Sequence, residues 1–101
     1  MICISVIIPI YNMGVYLEAC LQSVMDQTLK DIEVICVNDG STDHSLAILQ
    51  TYSSMYPNLI VLDQENCGVG VSRNRGLSKA QGEFVAFMDA DDVYPTSDVL
   101  A

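Results

Sequence analysis

Short apolar runs alternate along this chain with stretches whose apolar positions recur every three or four residues. Four runs stand out: Ile4–Pro9, Ile32–Asn38, Leu59–Asp63 and Glu83–Met88. Each is strand-length, rich in branched or aromatic side chains, and bounded by polar or turn-forming residues, so each predicts a strand. Between the first two, Leu17, Cys20, Leu21, Val24 and Met25 fall at i, i+3, i+4, i+7 and i+8, the stripe of an amphipathic helix. A second helix is expected to open at Ser41-Thr42-Asp43, good N-capping chemistry, with Leu46, Leu49 and Tyr52 on one face. A third is expected from about Val69 to Ala80, closed by Gln81-Gly82. The order β-α-β-α-β-α-β implies parallel strands joined by right-handed crossovers, an α/β protein of one domain over residues 1–101.

In a parallel sheet the polar segments that follow each strand gather at one edge, just outside the carboxyl ends where ligands bind. Here those segments are Tyr11-Asn12, Asp39-Gly40-Ser41, Glu65 to Gly70, and Asp89 to Asp92. The last follows directly on Phe84-Val85-Ala86-Phe87-Met88, which reads as a buried strand. Three carboxylates within Asp89-Ala90-Asp91-Asp92 repel one another and call for a counter-charge. A divalent cation supplies it, and an all-oxygen set favours Mg²⁺ or Mn²⁺ over zinc. The bland alternative is a polar turn capping a further helix.

Other candidates divide in the same way. Asp39 is either part of a turn, Asn38-Asp39-Gly40-Ser41, or an acceptor for a ligand N–H such as a nucleobase offers. Arg73 and Arg75 lie near the start of the third helix, where backbone N–H groups already favour anions. Tyr11 either stacks on a base or simply packs. Gly68 and Gly70 make only half of a dinucleotide fingerprint, and the first strand leads to Pro9-Ile10-Tyr11-Asn12 with no glycine turn, against NAD.

Net charge is −9, with only Lys30, Lys79, Arg73 and Arg75 positive, which excludes general nucleic-acid binding. The four cysteines form no C-x-x-C pair; Cys3, Cys20 and Cys36 sit inside apolar runs and read as reduced thiols. The start, Met1 to Ile8, lacks a basic n-region and a small-residue cleavage site, so it reads as the first strand and not as a signal peptide. No apolar run approaches the roughly 20 residues that cross a bilayer. The expected location is the cytoplasm, with membrane association an alternative for a longer enzyme.

Four motifs together resemble the nucleotide-binding half of family 2 glycosyltransferases with the GT-A fold. They are Ser5-Val6-Ile7-Ile8-Pro9-Ile10-Tyr11-Asn12; Val37-Asn38-Asp39-Gly40-Ser41-Thr42-Asp43; Asn66-x-Gly68-x-x-x-Ser72-Arg73-Asn74-x-Gly76; and Phe87-Met88-Asp89-Ala90-Asp91-Asp92. They occur in the family's order and cover almost the whole chain. The resemblance implies a three-layer α/β/α fold with strand order 3-2-1-4. It implies a nucleotide-diphosphate sugar as donor, most often a UDP-sugar, with Mg²⁺ or Mn²⁺ bridging the diphosphate. By position, Pro9 and Tyr11 would line the base pocket beside Asn12, and Asp39 would accept from the base N–H. Arg73 would meet the base edge or the diphosphate, Asp89 and Ala90 would lie near the ribose, and Asp91 would ligate the metal with Asp92 its neighbour. Ser72 stands where the family often has Ala.

In that family the acceptor site and the catalytic carboxylate follow the D-x-D motif. The general base is therefore expected beyond Ala101, and no catalytic residue within this chain. The expectation is a truncated donor-binding part, inactive alone, from an enzyme whose acceptor is a saccharide or lipid-linked glycan. Two rivals are a metal-dependent phosphoryl-transfer domain and a non-catalytic nucleotide-binding module. The first would want its key Asp on the first strand, where Pro9 and Tyr11 stand. Strand order 3-2-1-4 also leaves Glu83–Met88 at an edge without Lys, Pro or inward charge among its apolar residues. Self-association is expected at that edge or through the final segment, Val93–Ala101.

Overall fold

The computed structural model describes residues 2–100. Met1 and Ala101 lie outside the described residues, and with them the first residue of the expected opening strand and the last of the expected association segment. Seven elements alternate as expected: β1 (Ile4–Ile10), α1 (Gly14–Met25), β2 (Ile32–Asp39), α2 (Ser45–Met55), β3 (Leu59–Gln64), α3 (Val69–Lys79) and β4 (Phe84–Phe87). The strands form one parallel sheet in the order β3-β2-β1-β4, the arrangement implied by the resemblance. Ile4 pairs with Ile32 on one side and Phe84 on the other, so the three strands start level.

Successive side chains on a strand point to opposite faces, and both faces of β2 are covered. That is why all its residues are buried and why its sequence shows no polar alternation. On one face, Val6, Ile8, Ile10, Val34 and Cys36 pack under Leu17, Cys20, Leu21 and Val24 of α1 and Leu49 and Tyr52 of α2. Each aliphatic side chain fully buried here contributes about 1.5–3 kcal/mol relative to exposure. On the other face, Ile7, Ile35 and Val37 lie beneath α3. That helix buries only Ser72 and Gly76, small enough to let its axis approach the sheet. The result is the three-layer α/β/α arrangement.

A carboxylate is buried near the start of β2 with no salt-bridge partner among the described residues. Glu33 is 3% exposed, and its Oε2 accepts from the Ser5 hydroxyl at 2.6 Å and from the Gln81 N–H at 2.6 Å. The Ser5 oxygen in turn accepts from Gly82 N–H at 2.9 Å, so the turn between α3 and β4 is hydrogen-bonded to the first two strands. The satisfied network is what makes burial of the polar groups tolerable.

Two expectations are corrected. The second helix begins at Ser45, not at Ser41, because the polar side chains of Ser41 and Asp43 are engaged by the loop after β1. The fourth strand is shorter than Glu83–Met88 and is not buried: Phe84, Val85 and Phe87 are exposed, since β4 is the sheet edge and no helix covers its outer part. No helix follows Asp89–Asp92 among the described residues; residues 89–92 form a turn closed by Asp92 N–H to the Asp89 carbonyl at 3.0 Å. The cysteines are free, as expected, with Cys20 and Cys36 buried and Cys67 exposed. Among the described residues, no helix is long and apolar enough to cross a membrane.

Candidate functional site

The four polar segments do meet at the carboxyl ends of the strands. They enclose a cleft of about 440 Å³ lined by Pro9, Ile10, Tyr11 and Met13 from the first, and by Asp39 from the second. Asn66, Gly68, Val69 and Ser72 line it from the third, and Asp89, Ala90 and Asp91 from the fourth. That volume suits a small-molecule ligand, for which clefts run from roughly 300 to 1,000 Å³. Pro9, Tyr11, Asp39, Asp89, Ala90 and Asp91 are thus brought together.

Asn12 has a different place. Its backbone is left-handed, φ 51°, a conformation Asn tolerates. Its side-chain oxygen accepts from Thr42 N–H at 2.7 Å and Asp43 N–H at 3.3 Å, and its own N–H donates to the Ser41 hydroxyl oxygen at 3.1 Å. Asp43 completes this latch, accepting from the first N–H of α1 at Gly14, 3.0 Å, and from Ser45 N–H at 2.9 Å. The Ser45 bonds, helped by Gly14, outweigh desolvation and hold the Asp43 carboxyl below its ordinary range. One carboxylate therefore satisfies two helix N-termini and fixes the first loop against the second.

Asp39 is the hub of the cleft floor. It is 4% exposed, and its Oδ1 accepts from Gln64 Nε2 at 2.9 Å and Cys67 N–H at 2.7 Å. Its Oδ2 accepts from Gly68 N–H at 3.0 Å and, at 3.5 Å, from Asn66 Nδ2. Burial pushes its pKa upward, but donation by Gln64, Cys67 and Gly68 outweighs this and holds it below the ordinary 3.8. Asp39 is therefore an anion that folds the loop 65–68 over the end of β2. Gly40 makes this possible: its φ is +69°, and a Cβ there would sit 2.6 Å from Asn66 N.

At the other wall, Asp89, Asp91 and Asp92 are exposed and bring one carboxylate oxygen each within 4.8 Å of the others. Met88 and Ala90, both buried, alternate with them and root the turn in the core. Beneath it the Cys20 thiol donates to the Asp89 carbonyl at 3.7 Å, with its pKa pushed up to about 12 by burial, then by Asp92, Asp91 and Asp89. Cys20 is buried under the turn and directed at the Asp89 carbonyl, so the exposed donors of the cluster are carboxylate oxygens and fit a hard cation such as Mg²⁺ or Mn²⁺. Arg73 does not line the cleft but stands at its rim, Nη2 3.6 Å from Asp89 Oδ1. Both groups are well exposed, so this pair is weak and leaves the guanidinium free for another anion. Arg75 is used internally, donating to the Asp63 carbonyl at 3.2 Å and Gln64 Oε1 at 3.1 Å.

The cleft residues that sequence reasoning did not offer as candidates are Ile10, Met13, Asn66, Val69, Ser72 and, behind the wall, Gln64. Asn66 carries its own signal, an N-x-G placed just before a helix. Gln64 carries none; its amide links Asp39 to the Ser72 hydroxyl, 3.2 Å away. The general base expected beyond Ala101 falls outside the described residues.

A parallel sheet ordered 3-2-1-4, with an acidic turn and a cleft of small-molecule size at its carboxyl edge, defines an α/β ligand-binding class of domain. Residues 5–100 match glycosyl transferase family 2, and the chain belongs to that family. It is 50% identical over 94 residues to the uncharacterized glycosyltransferase YibD of Escherichia coli (strain K12), covering 92% of this chain and 27% of that protein. It superposes with TM-score 0.90 and 38% identity on a crystal structure of S. aureus TarS 1-349 in complex with UDP, over 98% of this chain and 30% of that one. It superposes equally, TM-score 0.90 at 29% identity, on the mannosyltransferase PcManGT of Pyrobaculum calidifontis in complex with GDP-Man and Mn²⁺, over 96% of this chain and 30% of that one. The chain thus spans less than a third of the length of these relatives.

Proposed function

We propose that residues 1–101 are the part of a glycosyltransferase that binds a nucleotide-diphosphate sugar, a UDP-sugar foremost, for metal-assisted transfer to a hydroxyl of a saccharide or lipid-linked glycan. The observation that carries this reading is the two-ended cleft. At one end stand Pro9, the exposed Tyr11 ring and the anionic Asp39; at the other, the three clustered carboxylates. The first end suits a base, the second a diphosphate bridged by a cation. Relatives that bind UDP, or GDP-Man with Mn²⁺, support it.

In this reading Tyr11 stacks on the base, and Asp39 accepts a base N–H on Oδ2, whose 3.5 Å contact with Asn66 is the easiest to displace. Arg73 takes the base edge or the diphosphate, Asp89 and Ala90 lie along the ribose, and Asp91 with Asp92 holds Mn²⁺ or Mg²⁺. When bound, the cation stabilises the departing diphosphate. The general base that deprotonates the acceptor hydroxyl is proposed to come from a segment beyond Ala101. β1 and the residue after it offer Pro9 and Tyr11 and no aspartate, which sets this reading above an aspartyl phosphoryl-transfer domain. The free edge of β4 is also proposed to support self-association.

The deciding experiment is calorimetric titration with UDP, GDP, NAD and ATP, in Mn²⁺ and in EDTA. UDP should bind best, with a dissociation constant on the order of 10 μM to 1 mM for so open a cleft. Equal UDP affinity in Mn²⁺ and in EDTA would refute the cation's role.

A further inference from the structure

Gln27 lies just beyond α1 and is 1% exposed, among the largest fully buried side chains of the protein. A buried primary amide must satisfy two N–H groups and an oxygen, and here all three go to backbone. Its Nε2 donates to the Ser23 carbonyl at 3.1 Å and to the Thr96 carbonyl at 2.8 Å, and its Oε1 accepts from Leu100 N–H at 3.0 Å. Next to it, Thr28 N–H donates to the Ser97 carbonyl at 2.6 Å. One turn earlier the Ser23 hydroxyl accepts from Tyr94 N–H at 3.0 Å, and one turn before that Cys20 donates to the Asp89 carbonyl. Cys20, Ser23 and Gln27 fall at i, i+3 and i+7, a single stripe. That stripe receives the chain from Asp89 to Leu100, which forms no helix or strand past β4.

We infer that Gln27, with Ser23, is a positioning residue for the acidic turn Asp89–Asp92, holding it in a cation-ready shape from the far side. This rests on the reading above that the turn takes a divalent cation. The turn has two ends. On the entering side it is fixed by Met88 N–H to the Ile7 carbonyl, 3.0 Å, and by the buried Ala90. On the leaving side its first hydrogen-bonded anchor is Tyr94, two residues past Asp92, and the anchors that follow belong to Gln27 and Thr28. Three carboxylates within 4.8 Å repel, so a turn released at that end splays, and a cation must then gather its ligands before it binds. No apolar side chain replaces Gln27 in this, because none bonds three separate backbone groups.

The test is titration of Mn²⁺ into the chain saturated with UDP, for the wild type, Gln27→Leu and Ser23→Ala, with amide hydrogen exchange on each. Loss of the clamp should raise the Mn²⁺ dissociation constant roughly tenfold in Gln27→Leu, the low end for outer-shell losses, and less in Ser23→Ala. UDP affinity in EDTA should stay at the wild-type value, and the Tyr94 and Leu100 amides should lose protection. Unchanged Mn²⁺ affinity in Gln27→Leu with its Leu100 amide unprotected, or in Ser23→Ala with its Tyr94 amide unprotected, would overturn the inference. If Gln27→Leu fails to fold, Ser23→Ala decides by the same criterion. A wild-type chain that takes no Mn²⁺ at all would instead overturn the cation reading itself, and this inference with it.

Discussion

Replacing Asp39 by Asn tests whether the cleft floor is held by charge. The change is nearly isosteric, so packing is preserved and the hydrogen bonds carry the effect. Asn keeps one acceptor oxygen. If that oxygen takes the Oδ1 position it retains Gln64 and Cys67, and its NH₂ then faces the Gly68 N–H, now 3.0 Å away with nothing to accept it. Losing one charge-assisted bond costs about 1.5–3 kcal/mol. The two retained bonds weaken as the acceptor loses its charge, since charged hydrogen bonds are roughly twice as strong as neutral ones. Relief of the desolvation that opposes the charged form returns part of this, leaving a net loss of about 2–3 kcal/mol. In urea, with a slope of about 1–3 kcal/mol per molar, the midpoint should fall by about 0.7–3 M. The pH dependence has a defined sign. The folded pKa of Asp39 lies below the ordinary 3.8, so its contribution is present above 3.8 and disappears as pH falls through the folded value. The gap between wild type and Asp39→Asn should therefore be full at pH 7 and close in acid. Coincident urea midpoints at pH 7 would refute the charged hub.

Asp91→Asn should abolish the difference between UDP affinities measured in Mn²⁺ and in EDTA, because an amide brings no charge to the cation; a persistent difference by calorimetry would move the metal elsewhere. Gly76→Ala should lower the melting temperature: its Cβ would meet Ile7 Cγ2 at 2.5 Å, and overpacking costs of about 1–3 kcal/mol exceed the roughly 1 kcal/mol that Ala contributes to a helix. An unchanged or higher melting temperature would show that α3 simply shifts outward. Val85→Lys should reduce concentration-dependent association in light scattering, since a lysine on the edge strand discourages pairing; a wild-type chain that stays monomeric at high concentration would remove the premise.

The elements legible in the sequence are those whose signal is local. Leu17, Cys20, Leu21 and Val24 announce α1 through their spacing, and Ile32 to Val37 announce a strand through their branching. The start of α2 is not legible, because Ser41-Thr42-Asp43 is capping chemistry in isolation, whereas in the fold these groups bond Asn12 and Gly14 about 30 residues away. Phe84–Met88 reads as buried because an apolar run looks the same whether or not a layer covers its outer part. In the site, the acidic turn and the convergence of four loops are legible, as they follow from parallel strands alone. The bonds from Asp39 to Gln64, Cys67 and Gly68, and those from Gln27 to Thr96 and Leu100, are not, since each joins groups 25 or more residues apart.

Pro9 has a role in the sheet as well as in the wall of the cleft. The carbonyls of Cys3, just before β1, and of Ile7 on it accept from Phe84 and Met88, so the odd-numbered residues of β1 face β4. N–H and C=O of one residue point the same way along a strand edge, and residue 9 is therefore the next donor on that side. Being proline, it has no N–H to give. The zipper between β1 and β4 meets a missing tooth just past Ile7–Phe87, while β1 and β2 stay paired through Ile10–Asn38. The ladder ends there, and the residues just beyond it on both sides, Pro9 and Ile10, Asp89 and Ala90, line the cleft. A Pro9→Val chain would regain the donor and gain a rung, so the same residue that shapes the wall also decides how far the sheet closes.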